Sequence, residues 1–260
     1  MVRPLAEAAP IAVLVAVALF GLAIGSFLNV VIARLPERRS LWSPGSACPG
    51  CGAAIAWYDN IPVLSFLTLR GRCRACGAAI SWRYPVIELA TGAAFLAAYA
   101  AFGPTRRFLA ATLLLSALIA ITAIDLRLQI IPDAITLPGI LVGVLSSVGT
   151  GAPPWLDAAV GVLVGGGVFF VIILVQPAGM GGGDMKLGAM LGAFLGWKVL
   201  LFSLFVAVVG GGALAIVLLA TGLRGRKDPV PFGPFLAFGG ATGLFWGEKV
   251  VAWYVSGFGG

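Results

Sequence analysis

Gly179-Met180-Gly181-Gly182-Gly183-Asp184-Met185-Lys186 lies between two apolar runs, and the reading of this stretch decides the fold. Four glycines within five residues disfavour a helix, each by about 1 kcal/mol relative to alanine. The backbone is therefore expected to open here, at the edge of a membrane span, with an aspartate in the opening. An ionisable side chain at such a place is costly and points to function. It raises the question of a partner acid elsewhere in the chain.

The flanking runs belong to a series. The 260 residues are 60% hydrophobic and 10% charged, against about 25% charged in a soluble domain. Apolar runs of roughly 18 residues or more then indicate an all-α polytopic membrane protein. About eight transmembrane helices are expected, near 10–33, 84–102, 108–124, 134–149, 156–176, 185–197, 199–222 and 235–255. The first run is longer than a signal-peptide core and reads as a retained span. The chain divides into this first helix (1–35), a polar insertion (36–83) and the remaining spans (84–260).

Arg34, Arg38 and Arg39 follow the first span, so the positive-inside rule puts the insertion in the cytoplasm. Arg127, Lys186 and Arg224-Gly-Arg-Lys227 agree with the resulting topology, whereas Arg106 and Arg107 fall outside against the rule. The excess of 17 basic over 10 acidic residues reports this topology and contact with anionic membrane lipid, not nucleic acid. No internal repeat is evident, and the glycine-rich helices suggest close contact through small residues.

Histidine is absent, which excludes His-based triads, His general bases and His metal ligands. Asp125 ends the third span and Asp184 stands at the edge of the sixth, both at the cytoplasmic boundary by this topology. Asp184 reads either as an N-cap for a helix starting at Met185 or as a functional acid. Asp125 faces the negative end of its helix dipole, unfavourable by about 0.3–1 kcal/mol, so Arg127 or a proton shared with a second carboxylate should compensate. Asp133, after Pro132, reads as a cap. Two neighbouring carboxylates hold one proton between them, so one serves as acid while the other serves as base. Hydrolysis of an unactivated amide needs that pairing. The glycines leave room for an extended substrate backbone to approach Asp184.

Cys48-Pro-Gly-Cys51 and Cys73-Arg-Ala-Cys76 are separated by 21 residues, the pattern of a four-cysteine zinc ribbon, with redox-active or free pairs as the alternative. Four thiolates close the coordination shell, so zinc here would be structural. Gly52 and Gly77 follow the pairs as tight knuckle turns require.

Gly181-Gly182-Gly183-Asp184 fits a GxGD signature. Together with Asp125…Ile131-Pro132-Asp133, the two CxxC pairs and Gly25-Ser26-Phe27-Leu28-Asn29-Val30-Val31, it resembles the bacterial type IV prepilin peptidases, which are GxGD intramembrane aspartyl proteases. The resemblance runs over essentially the whole chain. It implies Asp125 and Asp184 as catalytic pair, with Asp133 a nearby supporting acid; Gly181, Gly183, Lys186 and Glu88 are further candidates for support. It implies removal of a basic leader from prepilins and pseudopilins at the cytoplasmic face of the inner membrane, with 84–260 as the peptidase domain. It also implies N-methylation of the new N-terminus from S-adenosylmethionine, for which the chain shows no Gly-rich fingerprint.

Other polar residues have two readings each. Asn29 and Ser26 bridge helices or serve substrate or methyl donor. Glu88 pairs with Arg83 or Arg34, or meets the basic leader. Lys186 is a positive-inside anchor, or biases Asp184 toward the ionised form. Pro231-Phe232-Gly233-Pro234-Phe235 is a rigid start to the last helix, or lines a substrate groove. A transporter with a broken-helix ion site is the alternative function, and it predicts acids near the membrane midplane.

Overall fold

The computed structural model describes residues 10–176, 180–221 and 231–258; Gly179 and the basic segment Arg224-Gly-Arg-Lys227 lie outside the described residues. Its contacts divide the chain into two compact units, Met1–Phe108 and Leu109–Gly260. Among the described residues, extended pairing is limited to two isolated β-bridges and the rest of the regular structure is helical.

In the first unit, α1 (Ile11–Arg34) leads into the polar insertion. The insertion holds a 3-10 turn (Trp57–Asn60) and the short α2 (Leu64–Thr68), then passes into α3 (Arg83–Phe102). α1 and α3 meet backbone to backbone. A Cβ on Gly21 would lie 2.8 Å from the Gly92 Cα, and one on Gly25 would lie 2.6 Å from the Glu88 Cα. Gly21 and Gly25 thus form the small-xxx-small seam through which membrane helices approach closely. The sequence reading grouped α3 with the spans after it, whereas this glycine seam joins it to α1.

The insertion contains a repeat that the sequence reading missed. Cys48–Trp57 and Cys73–Trp82 both run Cys-x-x-Cys-Gly-Ala-Ala-Ile-x-Trp. Both fold alike: Cys48 N–H donates to Ala53 O at 2.9 Å and Gly52 N–H to Cys48 O at 2.9 Å, while Cys73 and Gly77 repeat the pattern at 2.8 and 2.9 Å. Gly52 and Gly77 sit at φ of 72° and 71°, a region where only glycine is unstrained. Arg74 grips Asp59 with two bonds of 2.7 and 2.6 Å, tying the second repeat to the 3-10 turn that follows the first. That guanidinium holds the Asp59 carboxyl below its usual range.

The second unit is built from α4 (Arg106–Leu128), α5 (Asp133–Thr150), α6 (Trp155–Val175), α7 (Gly182–Ala220) and α8 (Gly233–Thr242). A π-turn (Gly243–Gly247) joins α8 to α9 (Glu248–Phe258). A straight helix of the 39 residues in α7 would run about 58 Å, nearly twice a bilayer's hydrocarbon core. Gly196 breaks it, with φ 74° and ψ 161°. Before the break, Gly188 and Gly192 pack against Gly165 and Gly161 of α6. At the break, Gly196 touches Pro153 and Asp157 beside the start of α6. Beyond it, Ser203 and Ala207 receive Gly239 of α8, and Gly211 meets Phe235, so the chain has turned back. α4 docks differently, through Leu114, Leu118 and Ile121 in a core shared with Met190, Leu191 and Leu236.

Six described helices are long and apolar enough to cross a membrane. The expected eight are reached only by counting the two legs of α7 separately and the run from α8 through α9 as one.

Candidate active site

Asp125 lies in the last turn of α4 and is only 5% exposed. The sequence asked what offsets its position at the negative end of a helix. The structure adds a group that the sequence reading did not name: the N–H of Gly233, first residue of α8, donates to Asp125 Oδ2 at 3.0 Å. The positive end of one helix faces a carboxylate at the negative end of another. Gly233 is required for this approach, since a Cβ there would lie 2.6 Å from the same oxygen. The sequence reading saw Pro231–Phe235 only as a rigid start or groove wall; no local pattern reveals that its glycine meets an acid 108 residues away.

Asp184 differs from its expected placement. The helix begins at Gly182, not Met185, so Asp184 is the third residue of α7 and not its N-cap. Among the described residues of the stretch, the opening expected of the glycines is confined to Met180 and Gly181. Asp184 Oδ2 instead reaches back to accept the N–H of Gly181 at 3.2 Å, while its own N–H donates to Gly181 O at 3.1 Å. Packing requires glycine at position 183: a Cβ there would lie 2.8 Å from the Ile131 Cβ. That contact seats the 129–133 link against the start of α7. Gly181 and Gly182 remain exposed.

The Asp125 and Asp184 carboxylates interact electrostatically at these helix ends. Asp133, at the first position of α5, accepts from Lys186 Nζ at 2.6 Å. Lys186 is therefore engaged by Asp133, a partner the sequence reading did not name. Asp125, Asp133, Asp184, Gly181, Gly183, Lys186 and Gly233 thus all belong to one end of the second unit. Both acids lie in terminal turns of their helices, which gives the transporter alternative no support.

The four cysteines form a separate cluster in the first unit. Their sulfurs all lie within 4.8 Å of one another, with Cys48 and Cys76 3.9 Å apart. A tetrahedral site with metal–sulfur bonds of about 2.3 Å requires sulfurs about 3.8 Å apart. The geometry fits one metal ion and excludes a disulfide, whose sulfurs are about 2.05 Å apart. Backbone N–H groups of Gly50 and Cys51 lower Cys48 to about 7. Against the pull of an Ala78 N–H, the neighbouring sulfurs of Cys51, Cys73 and Cys48 push Cys76 up to about 11. Thiols so crowded ionise together only around a cation.

Glu88 is buried and meets neither Arg83 nor Arg34: Oε2 accepts the Val63 N–H at 2.7 Å, and Ser26 also bonds the carboxylate. Arg34 instead donates to the carbonyls of Ser40 and Gly45. Asn29 bridges α1 to α3 through the Tyr84 carbonyl at 3.1 Å.

Comparison with known proteins follows the same two units. Residues 19–102 match the bacterial peptidase A24 N-terminal domain, and residues 112–216 match the type IV leader peptidase family. The first match contains the cysteine cluster and the second contains Asp125, Asp133 and Asp184; Gly233 lies beyond both. A protein of Burkholderia pseudomallei (strain 1026b), named prepilin leader peptidase/N-methyltransferase, is 42% identical over 87% of this chain and 83% of its own. Proteins of the same name from Aeromonas salmonicida (strain A449) and Pseudomonas aeruginosa are 39% and 37% identical. The first covers 92% of both chains, the second 95% of this chain and 94% of its own. No solved structure matches. With both halves matched in order and relatives aligned over nearly their full length, this multi-pass membrane protein belongs to the bacterial type IV leader peptidase family.

Proposed function

We propose that Asp125 and Asp184 are the catalytic pair of an aspartic endopeptidase that removes the basic leader from type IV prepilins and pseudopilins. The work is done at the cytoplasmic face of the bacterial inner membrane, where the positive-inside charges put both helix ends. One observation carries this reading: two carboxylates stand at helix ends within one unit, each with one oxygen accepting a backbone N–H. Such a pair holds one proton. The ionised member takes a proton from water, whose oxygen attacks the scissile carbonyl carbon. The protonated member hydrogen-bonds the carbonyl oxygen as charge develops there, and a proton then passes to the departing amine as the C–N bond breaks. The Lys186–Asp133 ion pair fixes the starts of α5 and α7 around this centre. Exposed Gly181 and Gly182 leave the backbone open to an extended substrate.

N-methylation of the new N-terminus is the second activity, supported by the name that the relatives bear. S-adenosylmethionine supplies the methyl group. Cys48, Cys51, Cys73 and Cys76 would hold zinc, which cross-links the two repeats and leaves no position for water or substrate. Membrane lipid surrounds the spans. The test is incubation of the purified enzyme with a prepilin peptide and S-adenosylmethionine, followed by mass analysis of both products. Asp125→Asn and Asp184→Asn should each abolish cleavage while the protein still accumulates in the membrane; cleavage retained in either variant removes that residue from the pair.

A further inference from the structure

Several large apolar side chains of the polar insertion are exposed, Trp42, Leu64, Leu67 and Trp82 among them. Exposed apolar groups of this size mark a surface that meets a membrane or a partner. Their attachments put them at the membrane. The Trp42 ring centre lies 6.2 Å from that of Phe27, two turns before the end of α1. Glu88 accepts the Val63 N–H at 2.7 Å, which holds the start of α2 beside the first turns of α3. Phe66 of α2 stands 4.7 Å, ring centre to ring centre, from Trp82, the residue that precedes α3. Both α1 and α3 are long and apolar enough to cross a membrane, so α2 and Trp82 stand where α3 enters it. Tryptophan is enriched at that boundary.

Between α2 and Trp82 opens a cavity of about 640 Å³, lined by Phe66, Leu67, Arg70, Arg72, Ile80 and Trp82. Arg70 holds φ at 51°, uncommon for a residue other than glycine, in the turn that brings both arginines to this one space. No acid lines the cavity, and the described acids of the first unit are engaged elsewhere: Glu37 by Arg39, Asp59 by Arg74 and Glu88 by the Val63 N–H. Both arginines are exposed, and none of these acids is left to neutralise them. We propose that this cavity seats one anionic phospholipid of the cytoplasmic leaflet, its phosphate between Arg70 and Arg72 and its acyl chains against Phe66, Leu67 and Trp82. Charge and shape select the occupant. Uncompensated arginines favour an anionic over a zwitterionic headgroup, and the apolar walls favour a lipid over free phosphate. Arg72 precedes Cys73 and Gly77 follows Cys76, and Gly77 also lines the cavity, so the lipid pins the second Cys-x-x-Cys turn to the membrane surface. The proposal needs the insertion on the cytoplasmic side and is independent of the chemistry of Asp125 and Asp184.

The test is native mass spectrometry of the full-length protein in detergent micelles, titrated with phosphatidylglycerol or phosphatidylcholine. Each arginine contributes about fivefold in affinity for an anionic headgroup, so the wild type should prefer the first phosphatidylglycerol by about 30-fold. Arg70→Gln with Arg72→Gln should abolish this preference. Arg38→Gln with Arg39→Gln, which removes the same charge outside the cavity, should keep it. Leu67→Gln should weaken both lipids and leave the preference unchanged, and inorganic phosphate should displace neither. Thermal melts like that of the wild type show that the variants are folded. Equal affinity of the wild type for the two lipids overturns the site whether or not the variants fold. So does an equal loss of preference in the two double variants, which would leave only a general attraction of charge, and so does displacement of the lipid by phosphate alone.

Discussion

Replacing Gly233 by alanine tests the arrangement of the acids most directly. The added Cβ would lie 2.6 Å from Asp125 Oδ2, 3.1 Å from its Cγ and 3.4 Å from its Cβ. Ordinary contact needs about 3.4 Å or more, so carboxylate or helix must give by roughly 0.8 Å. The obstacle is not the end of a flexible chain, because Asp125 is buried and reaches its neighbours by two rotatable bonds. The movement breaks the bond from the Gly233 N–H, a charge-assisted bond worth about 1.5–3 kcal/mol. A displacement of about 1 Å at a reacting group costs about 100-fold in rate. Steady-state cleavage of a prepilin peptide by Gly233→Ala should therefore show kcat reduced by about two orders of magnitude. KM should change little if the substrate backbone approaches at Gly181 and Gly182, as proposed above. A variant within threefold of wild type in kcat would refute the claim that α8 fixes Asp125.

Three further outcomes follow from the same geometry. Gly183→Ala should destabilise the enzyme by about 1–3 kcal/mol, because its Cβ strikes the Ile131 Cβ at 2.8 Å, whereas Gly181→Ala meets nothing nearer than 3.8 Å and should fold normally; thermal melts of the two variants decide this, and loss of cleavage in well-folded Gly181→Ala would mark a close approach by substrate. The Lys186–Asp133 pair is 30% and 55% exposed, so a double-mutant cycle with Lys186→Met and Asp133→Asn should give a coupling of only about 0.2–1 kcal/mol in stability; a coupling above about 2 kcal/mol would show a pair far less screened than this one. Cys48→Ser should lose the bound metal that mass spectrometry finds in the wild type, and acidification should release it from the wild type as protons compete for the thiolates; unchanged stoichiometry in the variant would refute the four-sulfur site.

Much of this protein is legible in local sequence. Hydropathy located the spans within a few residues, because a helix that faces lipid must be apolar over its own length whatever its partners. The break near residue 197 was visible as a seam between two apolar runs, and the structure puts it at Gly196. Spacing alone was enough to gather the cysteines, since each CxxC turn is closed by its own hydrogen bonds. The repeat of that turn was equally present in the sequence and was overlooked.

What the sequence could not supply were partners. Lys186 had no reason in its neighbourhood to choose Asp133, nor Glu88 to choose the Val63 N–H over a nearby arginine. The glycines of the GxGD stretch looked like helix breakers, and by propensity they are; yet α7 begins at Gly182, and Gly183 is glycine because Ile131 occupies the space its side chain would need. Asp125 depends on a residue 108 positions away in the chain. Propensity, hydropathy and spacing are properties of a segment, whereas the group that offsets a buried charge is settled only when separate helices pack and their ends meet.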